Sequence, residues 1–367
     1  MANVTVYCAN AFLLSLVLIL AMAKVANRFG LVAVPSDIKT HDVRIPVVGA
    51  AMFVALCIAS ILLQRHPIGH ADLFLGLFLI VTLGVIDDLV GLRAPLKLVA
   101  QVACVASMVL PNDLLIQNAG VLYTGHALLL AEWAAPVTIF AVVGMVNAVN
   151  MIDGPDGLAG GISLVALAWF GVAAGILGLS DELPLILVLA FVILGFLVFN
   201  FRHPWRARAS VLLGDAGSMM LGLSLAFVAI SLSQRHGGSL SPIAVLWIFA
   251  LPAIDALSLM VRRAIFGHSL LSSDRQHLHD LMQQAGLGAN QTVLALVAIS
   301  AILGGLGIAG WLLQIPDRVM LLGLGVPVLL HTWLVFYGHK RLPSLRPIPR
   351  SDIAASRLRS PMTTVGR

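Results

Sequence analysis

Asn147, Asn150 and Asp153 are spaced by three in Asn147-Ala-Val-Asn-Met-Ile-Asp-Gly-Pro-Asp-Gly157 and form one polar stripe at the end of an otherwise apolar helix. Gly154, Pro155 and Gly157 then break that helix and let backbone approach a ligand. A turn with Asx capping would account for Asp153 or Asp156 singly, yet it leaves the two asparagines without a reason. Asp87 and Asp88 are adjacent, so on a helix they point about 100° apart and serve different partners. Arg93 and Lys97 are near enough to bind anions or to pair with these aspartates, although a solvated helix end would need no more than that. In Leu213-Gly-Asp-Ala-Gly-Ser218, Asp215 opens a helix, where free N–H groups favour a phosphate and a carboxylate repels it. A Mg²⁺ between carboxylate and phosphate removes that conflict, while a plain N-cap is the simpler alternative.

Two basic clusters complete the set. Ser273-Asp-Arg-Gln-His-Leu-His-Asp280 combines Arg275, His277, His279 and Asp280. Histidines at i and i+2 with an arginine suit a pyrophosphate or sugar-phosphate contact better than a zinc helix, which prefers i and i+4, and a polar surface loop is the bland reading. Lys39, His41 and Arg44 form a smaller group before Pro46 and Gly49. Asp255 lies inside an apolar run, seven residues before Arg262, and must face protein or a polar cleft, as a functional acid or as a structural hydrogen-bonding residue.

The elements that position these residues follow from composition. Of 367 residues, 59% are hydrophobic and 11% charged, with a mean hydropathy of +0.99, which excludes a soluble domain. Apolar stretches near the ~20 residues needed to cross a bilayer recur throughout, and the reading is an all-α polytopic membrane protein. Candidate spans fall near 5–26, 47–64, 71–87, 95–111, 132–151, 158–178, 183–201, 213–233, 241–261, 291–313 and 318–338, about 11 in all. Ala-Met-Ala near residue 23 mimics a cleavage site, but nothing basic precedes it and Lys24 and Arg28 follow, so the first span stays uncleaved with its N-terminus outside. An odd number of spans then puts the C-terminus in the cytoplasm, and of the 22 lysines and arginines all but Arg65, Arg235 and Arg318 fall inside. Residues 1–340 read as one membrane domain and 341–367 as a basic, flexible cytoplasmic tail.

The net charge of +5 does not imply nucleic acid, because the basic residues sit in loops between apolar spans. Cys8, Cys57 and Cys104 lie in apolar segments without ligand spacing and read as core. A transporter would place its acids at the bilayer midplane, whereas Asp87, Asp88, Asp153, Asp156 and Asp215 gather at one interface, as an enzyme acting on a lipid head group requires.

Ile86-Asp-Asp88, the Asn147 to Gly157 block, Gly214-Asp-Ala-Gly-Ser218 and Asp274-Arg-Gln-His-Leu-His279, in this order, resemble the polyprenyl-phosphate N-acetylhexosamine-1-phosphate transferases over nearly the whole chain. The Asp-Arg-Gln-His-Leu-His loop is most similar to members that transfer GlcNAc-1-phosphate, since those building peptidoglycan typically show three consecutive histidines there. The resemblance implies a bacterial inner-membrane enzyme with its active site on the cytoplasmic face. Its substrates would be a UDP-N-acetylhexosamine and undecaprenyl phosphate, its product the first lipid intermediate of an O-antigen, common antigen or similar glycan, and its partners the bilayer and, as an open option, a second copy. Another UDP-N-acetylhexosamine or UDP-MurNAc-pentapeptide would be served by the same chemistry. By this analogy Asp215 binds Mg²⁺ or Mn²⁺, Asp87 and Asp88 serve the phosphates, and Asp153 and Asp156 hold the nucleotide end. Lys39, with His41, Asn147, Asn150 and Arg275, contributes to substrate binding, and His277 and His279 lie near the sugar phosphate. Three positions depart from the family pattern. Asp280 stands where a further histidine is common, Leu212 where an aromatic residue often stacks on uracil, and Ala50 where a second glycine is usual.

Overall fold

A computed structural model describes residues 2–33, 45–63, 70–123, 125–203, 205–206, 208–235, 240–267 and 277–341. In chain order the helices are α1 (Ala2–Phe29), α2 (Gly49–Leu63), α3 (Ala71–Val90), α4 (Ala94–Val109), α5 (Ala134–Ile152), α6 (Leu158–Ile176), α7 (Glu182–Asn200) and α8 (Gly214–Ile230). They continue as α9 (Pro242–Ile248), α10 (Ala250–Ile265), α11 (Leu278–Gln284), α12 (Ala289–Leu312) and α13 (Asp317–Arg341). A two-stranded antiparallel pair, β1 (Val32–Ala33) and β2 (Ile45–Pro46), joins α1 to α2.

Among the described residues, eight helices are long and apolar enough to cross a membrane. The expected spans over 47–64 and 95–111 coincide with the shorter apolar helices α2 and α4, and that over 241–261 with the pair α9 and α10. The single span expected over 241–261 is corrected, because α9 and α10 meet at a bend of 76°. Pro252 supplies the cause: its ring conflicts with the carbonyl four residues back, that of Ile248, where α9 ends. The Phe249 ring fills the break by packing edge-on against Phe170 at 5.5 Å.

α8 is the axis of the bundle. Its apolar sequence is buried all round, as expected of a helix without a polar face. Close approach by its neighbours depends on small residues, since lipid supplies no hydrophobic drive between helices. A Cβ on Gly84 of α3 would fall 2.4 Å from the Ala216 Cα, and one on Gly49 of α2 would fall 2.3 Å from the Gly217 nitrogen. These contacts press the C-terminal half of α3 and the start of α2 against the first turn of α8. At the periphery, α13 exposes Leu322, Val326, Leu329 and Trp333, a face suited to acyl chains.

Candidate active site

At the first turn of α8 the exposed N–H groups meet protein. Asp88 reaches across from α3, its Oδ1 accepting from the Asp215 N–H at 2.9 Å and its Oδ2 from the Ala216 N–H at 3.2 Å. Gly214 has φ +68°, and a side chain there would strike Val47 and stand 2.8 Å from Asp88 Oδ2. This corrects the expectation of a phosphate on that helix start, because a carboxylate already occupies the two N–H groups and complements the helix dipole. It also moves the cap from Asp215 to Asp88 and leaves Asp215 for other work.

Asp87 turns the other way, as adjacent helical residues must. Its Oδ1 accepts from the Leu92 N–H at 2.7 Å, and its Oδ2 lies 2.7 Å from Lys97 Nζ. The same ammonium is 3.2 Å from Asp215 Oδ1, which also accepts from Asn150 Nδ2 at 2.7 Å. Lys97 therefore joins two carboxylates that would otherwise repel. Of the two roles the sequence allows it, anion binding or pairing with the aspartates, the structure shows the pairing. The overlooked signal is Gln101, one turn further along the otherwise apolar α4, which makes Lys97 the head of a second polar stripe. The two stripes face each other, and Gln101 Oε1 accepts from Asn147 Nδ2 at 2.7 Å.

The opposite wall comes from the α5–α6 turn and α11. A Cβ on Gly154 would lie 2.6 Å from His279 Nε2, so this glycine admits an imidazole of the protein. The His277 and His279 rings stack at 5.2 Å and 8°. Burial holds the His279 imidazole below the usual histidine range, against the pull of Asp280 at 3.6 Å. Asp280 itself accepts from the His277 N–H at 3.3 Å, a helix-start contact that accounts for an acid at this departure from the family pattern.

Asp156 is buried, and its Oδ2 takes Arg202 Nε at 2.6 Å and the Ala209 N–H at 3.0 Å. The Arg202 side chain, and not the Asp156 carboxylate, lines the cavity. Lys39, His41 and Arg275 lie outside the described residues.

Asp88, Lys97, Asn147, Asn150, Asp153, Arg202, Arg263, His277 and His279 surround one end of a cavity of about 1590 Å³. The cavity continues between α4, α5, α9 and α10 past Val102, Phe140, Leu246 and Leu257, as far as Ser233 and Gln234 beyond the far end of α8. Such a space can hold a polyanion at one end and a long apolar chain along the rest. Among the described residues no three His, Cys, Asp or Glu side chains are grouped to cage a metal ion. The Asp215 side chain is 31% exposed, which suits an ion such as Mg²⁺ that takes one or two carboxylates and keeps its other positions for water and phosphate oxygens.

Residues 70–233 match the family model described as glycosyl transferase family 4. The chain is 32% identical over 316 residues to the undecaprenyl-phosphate alpha-N-acetylglucosaminyl 1-phosphate transferase of Yersinia pestis, covering 84% of this chain and 85% of that protein. The protein of the same name from Escherichia coli (strain K12) is 30% identical over 315 residues, 85% of each chain. That from Haemophilus influenzae is 30% identical over 329 residues, 89% of this chain and 92% of its own.

Proposed function

The chain belongs to glycosyl transferase family 4, and from that premise we propose that it transfers GlcNAc-1-phosphate from UDP-GlcNAc to undecaprenyl phosphate. The observation that carries the reading is one continuous cavity, lined at one end by Lys97, Arg202 and Arg263 beside Asp88, Asp153 and the two asparagines and apolar along the rest, because it matches a pair of substrates of which one ends in a long hydrocarbon. A phosphate oxygen of the lipid attacks the β-phosphorus, the bond from that phosphorus to the bridging oxygen breaks, and the electron pair leaves on UMP. The product is a lipid-linked sugar pyrophosphate.

The protein's task is to bring two polyanions together and to neutralise them. Lys97, Arg202 and His277 supply positive charge or donors at the cavity wall, and Asn147 and Asn150 hold the α4 and α8 partners in register. A divalent ion, Mg²⁺ or Mn²⁺, held by Asp215 would supply further neutralisation of the phosphates when bound. A phosphate monoester is largely dianionic at pH 7, so the nucleophile needs little help from a base. Asp87, fixed by Lys97 and the Leu92 N–H, is accordingly a charge-placing group. The protein belongs in the bacterial inner membrane with the polar end of the cavity facing the cytoplasm, because most of its basic residues fall on the side of the site.

The test is UMP release by purified protein in nanodiscs with undecaprenyl phosphate, Mg²⁺ and a panel of UDP-sugars. UDP-GlcNAc is expected to give the highest kcat/KM. Preference for UDP-MurNAc-pentapeptide or another UDP-N-acetylhexosamine would move the specificity, and lack of UMP release from every donor would overturn the reading.

A further inference from the structure

The sequence leaves Asp255 open as a functional acid or a structural hydrogen-bonding residue. It is 3% exposed, sits one turn beyond the α9–α10 bend, and has both oxygens engaged. Oδ2 lies 2.7 Å from His277 Nδ1. Oδ1 accepts from the Leu278 N–H at 3.1 Å and lies 3.1 Å from Nε2 of His331, which α13 brings in from behind. His331 Nδ1 is 3.1 Å from Ser258 Oγ, which is in turn 3.2 Å from Thr332 Oγ1. A carboxylate can only accept from these groups, so the nearer protons belong to His277 Nδ1 and His331 Nε2. The chain of contacts runs from α13 through Asp255 to the imidazole that, with His279 stacked on it, lines the polar end of the cavity.

We propose that Asp255, backed by His331, is a positioning residue that fixes the tautomer and ring plane of His277, so that Nε2 is the nitrogen presented to the anionic substrate. The proposal rests on the functional reading above in taking that substrate to be a nucleotide-sugar pyrophosphate. The physical reason is orientation: a hydrogen-bonded carboxylate behind an imidazole fixes the ring and makes the opposite nitrogen a better partner for an anion, as it does behind metal-bound histidines. A purely structural carboxylate would tie helices together equally well and would leave the chemistry of His277 untouched.

Two measurements separate these roles. In UMP release, Asp255→Asn should lower kcat and kcat/KM together by about 10- to 100-fold, the range for loss of such orienting partners. In a His277→Gln background the same substitution should cost less than about twofold, because the residue through which it acts is gone. Equal losses in both backgrounds would overturn the proposal. The second measurement needs no turnover: imidazole ¹⁵N spectra of histidine-labelled full-length protein in nanodiscs, with His277 assigned by its disappearance in His277→Gln. Asp255→Asn should shift both His277 nitrogens, and His331→Ala should shift them by less. Unmoved His277 signals in Asp255→Asn would overturn the proposal whatever the substrate proves to be, whereas shifted signals in a protein that turns over no tested donor would support the positioning and defeat only the functional reading.

Discussion

Lys97 bridges two carboxylates at the site, touching Asp87 at 2.7 Å and Asp215 at 3.2 Å. Lys97→Met keeps the length of the side chain and removes the charge, leaving Asp87 and Asp215 facing each other beside the Asp88 cap. Turnover should fall by roughly 100-fold or more, the scale of losing one preorganised charge partner, and UMP release within threefold of wild type would contradict this. Asp87→Asn tests the proton question separately. An obligatory base would be replaced by hydroxide, so the variant would approach wild type as pH rises, whereas a charge-placing group leaves a deficit that persists from pH 7 to 9. Persistence is expected in single-turnover UMP release. His279 gives a stability prediction with a definite sign. Its folded-state value lies below the ordinary imidazole value of about 6.5, so the unfolded chain binds the proton first and stability contributed by the neutral ring is lost as pH falls below that value. His279→Gln should flatten the fall in melting temperature between pH 7 and 5.5, and identical slopes would refute the assignment. At this scale the sequence was readable for groups that interrupt apolar runs, as Asn147, Asn150 and Asp87 do. It was not readable for the division of labour between Asp88 and Asp215, which depends on a contact spanning 127 positions of chain.

At the scale of elements, the site depends on how near α3 comes to α8. Gly84 permits that approach, and an added methyl would fall 2.4 Å from backbone, which cannot give way as a side chain can. Gly84→Ala should therefore push α3 outward, lengthen the Asp88 cap and the Lys97 bridge together, and cost on the order of 1–3 kcal/mol as overpacking does. Thermal unfolding in detergent and UMP release should decline in parallel, and a stability loss with turnover untouched would show that the crossing does not set the site. The helices themselves were legible, because every expected apolar run except 241–261 has a single helix. The break within 241–261 was equally present in the sequence as Pro252, but hydropathy alone does not register a proline inside an apolar window. That break matters to function, since α10 beyond it holds Asp255, and with it His277.

For the whole molecule, the sidedness of the bundle decides whether the proposed chemistry is accessible to its donor. A nucleotide sugar is made in the cytoplasm and cannot cross a bilayer unaided, so the proposed reaction requires the end bearing Lys97 and His277 to open inward. Charge bias gives the same orientation from the sequence, yet the bias is a sum over loops and says nothing of which helices pack together; only the folded chain places the C-terminal turns of α3 and α5 beside the start of α8. Val90, at the end of α3, and Gln283, in α11, are exposed at the site end, while Asp181, before α7, is exposed at the other. Single cysteines at these three positions, in a background with Cys8, Cys57 and Cys104 replaced by alanine, should divide cleanly when intact cells are treated with a membrane-impermeant maleimide. Asp181→Cys should react in intact cells, and Val90→Cys and Gln283→Cys only after the inner membrane is opened. Reaction of Val90→Cys or Gln283→Cys in intact cells would place the cavity mouth on the wrong side for a cytoplasmic UDP-sugar, and the proposed reaction could not proceed there whatever the geometry of its residues.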